Sequence, residues 1–251
     1  MPGRRAALIE VWVVFTAVAL ATWLLSHATF VPLIRENLHL CVAALFVFGA
    51  LRCAERLPGG LARYRLTLGG LLTPDVERER PGLLGAALDL GAALLRGVPS
   101  LLRELAVALG VCLVVFPPFV LGYYLWNTPP DPFVYLPQPD EVSYALTQIV
   151  VVALPEEMFF RGYLQGRLED AFATRVRFLG ADLCPQAWLL QALLFGLLHF
   201  AVDLHPARLA VFFPALLFGW LASLRGGLGA AIFVHALCNL LSNLLARGWQ
   251  V

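Results

Sequence analysis

Two adjacent glutamates and an arginine four residues further on, Glu156, Glu157 and Arg161, are the side chains in this sequence best suited to chemistry. On a helix Glu157 and Arg161 are i,i+4 neighbours, so the guanidinium can neutralise that carboxylate. Glu156 projects about 100° away around the helix and has no such local partner. An unpaired carboxylate in a site of low dielectric constant is suited to act as a general base. The pattern predicts a structural role for Glu157 and a reactive one for Glu156.

Two later segments carry further polar groups at helical spacing. His199 follows Phe195 by one turn, and Asn239 follows His235 by one turn. A carboxylate and an imidazole can activate a water molecule, and a second imidazole with a carboxamide can donate hydrogen bonds to the oxyanion of a tetrahedral intermediate. This is acyl-transfer chemistry without a serine or cysteine nucleophile. Taken singly, each group could instead be a buried hydrogen-bonding residue between helices.

The composition places these groups in a membrane. Of 251 residues, 60% are apolar and 14% charged, whereas soluble domains have about 45–50% apolar and about 25% charged residues. A transmembrane helix needs about 20 apolar residues. The sequence therefore predicts an all-α polytopic integral membrane protein with about seven transmembrane helices, between six and eight. The apolar runs are 6–25, 38–51, 105–124, 142–154 extending toward 164, 187–202, 209–224 and 228–245.

Two of the N-terminal segments need separate interpretation. The run 6–25 could belong to a signal peptide, but it is long and no small-x-small cleavage site follows, so an uncleaved first span is expected. The segment 81–98 is too polar to span and apolar enough to lie in the interface, which predicts an amphipathic or re-entrant piece. The chain then divides into an N-terminal membrane region, 1–140, with three spans and an arginine-rich loop, and a catalytic helical core, 141–251.

The arginines predict the orientation. All basic residues are arginines, and they gather in the segments 52–80 and 161–186, whereas 125–141 contains none. By the positive-inside rule the first two segments, and with them the N-terminus, face the cytoplasm. A net charge of +1 without a basic stripe excludes nucleic acid as a main partner. The expected partners are the lipid bilayer and a membrane-anchored protein or peptide substrate.

Cysteine and histidine spacing gives little support to a metal site. The five cysteines are widely spaced and form no CxxC pair, which is typical of small apolar side chains at helix interfaces. No HExxH motif occurs, so the glutamates and histidines are not presented as a compact zinc triad. We therefore expect no cofactor, with zinc as the alternative. The strongest competing cluster is Asp203 with His199 and His205.

Taken together, the three motifs resemble those of a known family. Glu156-Glu157-x-x-x-Arg161, Phe195-x-x-x-His199 and His235-x-x-x-Asn239 are similar to the motifs of the CAAX protease and bacteriocin-processing enzyme (CPBP) family, the intramembrane glutamic endopeptidases related to the Ras-converting enzyme. The similarity covers about 142–245. It implies a helical fold with a conical cavity that is open to the cytoplasm or buried in the membrane.

The resemblance also implies roles and substrates. Glu156 and His199 would activate water, His235 and Asn239 would form the oxyanion site, and the remaining motif residues Glu157, Arg161 and Phe195 would support them. The expected function is an endopeptidase that cleaves near the C-terminus of a membrane-associated protein. The composition favours a bacterial inner membrane, and bacterial members called myxosortases cleave C-terminal sorting tails. Two alternatives stay open: a non-catalytic immunity or scaffold protein, and a metal-dependent peptidase.

Overall fold

The computed structural model describes residues 2–28, 30–66, 76–137 and 140–250, and almost all of them are helical. Seven described helices are long and apolar enough to cross a membrane, which confirms the predicted all-α class and number of spans. A short antiparallel hairpin was not predicted. In chain order the elements are α1 Pro2–His27, α2 Pro32–Glu55, α3 Gly60–Arg63, α4 Gly82–Asn127, α5 Glu141–Ala171, β1 Val176–Phe178, β2 Ala181–Leu183, α6 Pro185–Asp203, a 3₁₀ turn Pro206–Val211, α7 Phe212–Arg225 and α8 Gly229–Trp249.

Helix α2 is longer than its apolar run. The predicted run 38–51 was short for a crossing, but the helix has 24 residues and begins at Pro32. Its first turns contain charged and polar residues, which lower the hydropathy without ending the helix. The backbone bends at Asn37 (φ −123°, ψ 22°), whose Nδ2 donates to the Leu33 carbonyl at 3.0 Å. The kink lies one residue before the predicted start.

The segment 81–98, predicted to be an amphipathic or re-entrant piece, is continuous with the third span. This stretch and the third predicted span form one helix of 46 residues, α4, with Pro99, Pro117 and Pro118 inside it. A proline removes one backbone hydrogen bond and kinks a helix, but it does not end it where the flanking residues still favour helix. At about 1.5 Å per residue the helix is about 70 Å long, more than twice the apolar thickness of a bilayer. It therefore extends well beyond a single crossing.

The connections divide the bundle into two faces. The arginine face contains the start of α1, the segment from the end of α2 to Leu66, the end of α5, the hairpin and the end of α7. Ion pairs Arg63–Asp170 (2.7 Å) and Arg65–Glu169 (2.8 Å) hold it together. The proline-loop face contains the α1–α2 turn, the segment 128–137, the end of α6 and the end of α8. There the Val134 amide donates to the Gly248 carbonyl at 2.9 Å.

The core lies mainly around α5. A large cluster of buried side chains joins α1, α2, α5 and α6, with Phe46, Phe159, Phe160 and Phe195 packed ring against ring. A smaller cluster joins α4, α7 and α8. All five cysteines are free, and Cys112 and Cys184 are buried. Because α5 is surrounded on several sides, its polar side chains have protein neighbours rather than lipid.

Candidate active site

The glutamate pair lies between two widened segments of α5. The helix adopts π geometry at Gln148–Ala153 and at Met158–Leu164, with regular α-helix at Leu154–Glu157 between them. Pro155 lacks an amide hydrogen and its ring crowds the preceding turn, which accounts for the widening before it. π-segments inside helices occur frequently at functional sites. The local backbone therefore marks the position of the glutamates as unusual.

Glu157 is the centre of a buried network. Its Oε1 accepts hydrogen bonds from Arg161 Nη1 at 2.9 Å and from His235 Nδ1 at 2.8 Å. Glu157 and Arg161 are fully buried, so they form the i,i+4 ion pair that their spacing predicts. A buried charge is tolerated where it is paired. The histidine was not expected here, because the sequence associates it with Asn239.

Aromatic rings enclose the rest of the Arg161 guanidinium. Its carbon lies 4.3 Å from the centroid of Phe195 and 5.1 Å from that of Phe218. The Nε and Nη2 atoms have no hydrogen-bond partner, so ring faces supply the attraction that acceptors would otherwise provide. Phe195 also contacts His199, with ring centroids 4.4 Å apart. The predicted supporting role of Phe195 thus has a physical basis in both contacts.

His235 lies between the two glutamates. A carboxylate can only accept, so Nδ1 carries the proton that is donated to Glu157. The ring stacks on Phe218 at a centroid distance of 4.8 Å. This orientation points Nε2 toward Glu156, and the distance between Nε2 and Glu156 Oε2 is 3.7 Å. That distance is too long for a hydrogen bond, but it brings the imidazole next to the predicted reactive carboxylate.

Glu156 and His199 line one cavity of about 380 Å³. Glu156 Oε2 is buried and has no hydrogen-bond partner. His199 Nδ1 lies 3.0 Å from the Phe195 carbonyl oxygen. Because a carbonyl only accepts, Nδ1 is the protonated nitrogen and a neutral ring keeps an acceptor lone pair on Nε2. The cavity therefore holds a carboxylate oxygen and an imidazole nitrogen that can both accept a proton.

Asn239 does not join this cavity. It is not among the residues that line it, and its Nδ2 donates to Gln148 Oε1 at 3.0 Å. Gln148 lies two turns before Glu156 in α5 and was missed in the sequence. A glutamine in an apolar span was the available signal, because a buried amide needs a partner. The structure brings Glu156, Glu157, Arg161, Phe195, His199 and His235 together and places Asn239 beside them on Gln148.

The N-terminal helices supply one wall of the cavity, which sequence reasoning also missed. Side chains of α1 and α2 line it together with α5, α6 and the 3₁₀ turn. Asp203, one helical turn beyond His199, pairs with Arg208 at 2.5 Å. The wall residues from outside α5 are Thr22, Ser26, Leu38, His39, Val42, Ala43, Phe46, Leu198, His199, Val202, Asp203 and Arg208.

The competing metal cluster does not form. In the part of the chain that the structure describes, no group of three or more His, Cys, Asp or Glu side chains is placed to hold a metal ion. Asp203 is bound to Arg208, and Glu157 Oε1 is shared by Arg161 and His235. The side chains therefore do not fit zinc in this arrangement.

Comparison with known proteins gives one match. Residues 138–241 match the family model described as Rce1-like, type II CAAX prenyl endopeptidase Rce1-like. This segment is therefore similar to type II CAAX prenyl endopeptidases of the Rce1-like family. The match covers less than half of the chain and includes every motif residue from Glu156 to Asn239. A search of the curated proteins and of the solved structures finds no match.

The Rce1-like match and the seven apolar helices are consistent with each other, because an intramembrane peptidase must cross the membrane. The family supports a CAAX-protease-like intramembrane endopeptidase, and the helices support an integral membrane protein. The cavity described above is built partly by this segment and partly by α1 and α2, which lie outside the match.

Proposed function

We propose that this protein is a glutamic-type intramembrane endopeptidase in which Glu156 and His199 activate water. The observation that carries the proposal is Glu156, which lines the cavity together with His199 and whose buried Oε2 has no protein partner. An unsatisfied buried carboxylate oxygen costs free energy, and a bound water molecule would satisfy it. The expected substrate is a membrane-associated protein or peptide, cleaved near its C-terminus, in a bacterial inner membrane; a C-terminal sorting tail is the specialised form.

The shared cavity of Glu156 and His199 supports the following reaction. Water held between Glu156 Oε2 and His199 Nε2 gives a proton to Glu156 while its oxygen attacks the carbonyl carbon of the substrate. The carbonyl oxygen becomes an oxyanion. The C–N bond then breaks, and the proton on Glu156 passes to the leaving amine. Atoms and charges balance without a metal ion or a covalent intermediate.

His235 is the described side chain best placed to stabilise the oxyanion. When both ring nitrogens carry a proton, Nδ1 is held by Glu157 and Nε2 is free to donate near Glu156. A fixed donor of this kind stabilises the transition state because it needs no reorientation. Asn239 can join it only if its amide leaves Gln148 or uses its second hydrogen.

The test compares substitutions at Glu156 with one at an exposed glutamate. Glu156→Gln removes the proton acceptor and is expected to lower the cleavage rate by about 10²- to 10⁴-fold, whereas Glu55→Gln, on the lipid or solvent side of α2, leaves it unchanged. Mass spectrometry of the C-termini of membrane and surface proteins identifies substrates that keep their tails only with Glu156→Gln. Full cleavage by Glu156→Gln contradicts the proposal, and rescue of a deletion phenotype by this variant favours the scaffold alternative.

A further inference from the structure

The cavity occupies only one half of the bundle. Its residues in α1 and α6 belong to the last two turns of those helices. Those in α2 and α5 belong to the first half, except Phe46, which lies just past the middle of α2. Because successive spans run in opposite directions, all four positions fall in the half next to the proline-loop face. Ser26, His39, Asp203 and Arg208 form its outer rim, and Glu156 lies deepest along α5.

The other half of the bundle is closed below Glu156. Every residue of Met158–Leu164 is buried. The segment 63–66 packs across this part of α5, with Tyr64 and Leu66 at most 1% exposed. A Cβ on Gly162 would lie 2.5 Å from Leu66 Cδ2, so backbone and side chain are already in close contact. Substrate and water therefore cannot reach Glu156 from the arginine face without displacing this packing.

The arginines are distributed unequally between the faces. Described residues on the arginine face include Arg4, Arg5, Arg52, Arg56, Arg63, Arg65, Arg167, Arg175, Arg177 and Arg225. Those on the proline-loop face are Arg35, Arg208 and Arg247. Short loops rich in arginine remain in the cytoplasm. By this rule the arginine face is cytoplasmic and the cavity rim is extracytoplasmic.

We infer that the cavity opens to the extracytoplasmic side and takes a segment of a membrane-anchored protein that has already been exported. This rests on the proposed function and specifies the substrate of that site. The inner wall is mostly apolar and suits a chain leaving the bilayer, whereas the rim carries Asp203 and Arg208 and suits a polar, hydrated segment. The scissile bond then lies in the outer half of the bilayer.

The orientation is tested with cysteine variants in intact cells and a membrane-impermeant maleimide. Phe30→Cys and Trp126→Cys place thiols at exposed positions on the proline-loop face, 83% and 85% exposed, and Arg177→Cys is the matched variant on the arginine face. The wild-type chain, with its five free cysteines, gives the background. We expect the first two to be labelled in intact cells and Arg177→Cys only after permeabilisation. The reverse pattern, or equal labelling of both faces in intact cells, overturns the inference.

A cleavage assay separates this inference from the proposed function. Reporters carry one cleavable segment on the extracytoplasmic or on the cytoplasmic side of an otherwise identical span. Only the first is expected to be cut, and Glu156→Gln to abolish the cut. Cleavage of the cytoplasmic reporter alone overturns the inference and leaves the proposed function standing. If the cysteine variants are labelled as expected but cleavage does not depend on Glu156, the orientation stands and the proposed function is overturned.

Discussion

Glu157 holds an arginine and a histidine through a single oxygen, and the aromatic rings around Arg161 leave that arginine no other acceptor. Removing the carboxylate would therefore leave a guanidinium buried and unpaired. Such a change is far more costly than the loss of an exposed ion pair, because water can replace the partner only at the surface.

We expect Glu157→Ala to lower the free energy of unfolding by about 3–5 kcal/mol. The control is Glu55→Ala, which removes the exposed Arg52–Glu55 pair (3.8 Å) and is expected to change stability by less than about 0.5 kcal/mol. Thermal unfolding of both purified variants in the same lipid environment measures the difference. Similar losses in the two variants would show that Arg161 has another source of stabilisation.

Substitutions of Asn239 and of its partner Gln148 decide whether Asn239 acts directly on the oxyanion or through their hydrogen bond. If Asn239 acts through its hydrogen bond to Gln148, Asn239→Ala and Gln148→Ala should lower kcat by similar and small factors, below about tenfold, since one neutral hydrogen bond contributes about 1 kcal/mol. We expect this result in steady-state kinetics. A loss of about 10²-fold or more in Asn239→Ala alone would instead identify a direct oxyanion donor.

For individual residues, the sequence predicts the contacts between side chains that are close together in the chain. Glu157 and Arg161 are four residues apart on one helix, so their ion pair follows from helical geometry. His235 and Gln148 have partners 78 and 91 residues away, and no spacing rule reports such contacts. Asn239 was assigned to the oxyanion because helical spacing puts it on one face with His235, whereas the packing of α8 on α5 directs its amide to Gln148.

Helix α5 is held at the arginine face by a segment from outside the Rce1-like match. Tyr64 donates to Asp170 at 2.7 Å, and Arg65 contacts both oxygens of Glu169. Burial and this hydrogen bond raise the pKa of Tyr64 above its ordinary value, so the hydroxyl keeps its proton as the donor. Glycines in α5 allow the segment 63–66 to pack closely against the helix, because a Cβ on Gly166 would lie only 2.7 Å from Tyr64 Cδ1.

We expect Gly162→Ala to destabilise the protein by about 1–3 kcal/mol, because the added methyl overlaps Leu66 and overpacks the contact. The matched control is Gly110→Ala in α4, where nothing lies within 4 Å of the added carbon, and where the helix should gain up to about 1 kcal/mol. Thermal unfolding and limited proteolysis of the segment 63–66 measure both effects. A stabilising Gly162→Ala would show that the segment moves away freely.

Hydropathy predicted which segments form helices better than it predicted where those helices begin and end. Every apolar run became a helix, but charged residues at the start of α2 hid its first turns, and the polar residues of 81–98 hid the first part of α4. The cause is that hydropathy measures the preference for lipid, whereas helix formation depends on backbone hydrogen bonds and packing. The hairpin after α5 was missed because its strands are only three residues long.

For the whole molecule, the structure joins two regions that the sequence separates at residue 140. That division stays a prediction, but α1 and α2 form a wall of the cavity and α4 packs on α8. Residues outside the Rce1-like match should therefore affect catalysis directly.

Ala43 and its neighbour Ala44 test this contribution. Ala43 lines the cavity, whereas Ala44 is exposed on the outside of α2. We expect Ala43→Leu to lower kcat/KM by about 10- to 200-fold for the best substrate, because the larger side chain fills space that the substrate needs, and Ala44→Leu to leave it unchanged. Equal kinetics for both variants would remove α2 from the substrate path.

The location of the cavity could not be predicted from motifs alone. The motifs give the order of the reactive residues, and the arginines give a direction for each span, but neither reports the closed layer formed by 63–66 on α5. The family resemblance implied a cavity open to the cytoplasm or buried; the packing leaves it open toward the proline-loop face.

The network around Glu157 also bears on the order in which the chain enters the membrane. Arg161 emerges from the ribosome four residues after Glu157, so this pair can enter the bilayer already neutralised. His235 is made 78 residues later. Until α8 inserts, the Glu157 oxygen that Arg161 holds lacks its second donor, and Glu156 lacks the His235 imidazole beside it. The fourth span is therefore an unfinished, partly charged intermediate for the time it takes to synthesise three more helices, and a chain arrested before α8 should be the form that cellular quality control removes.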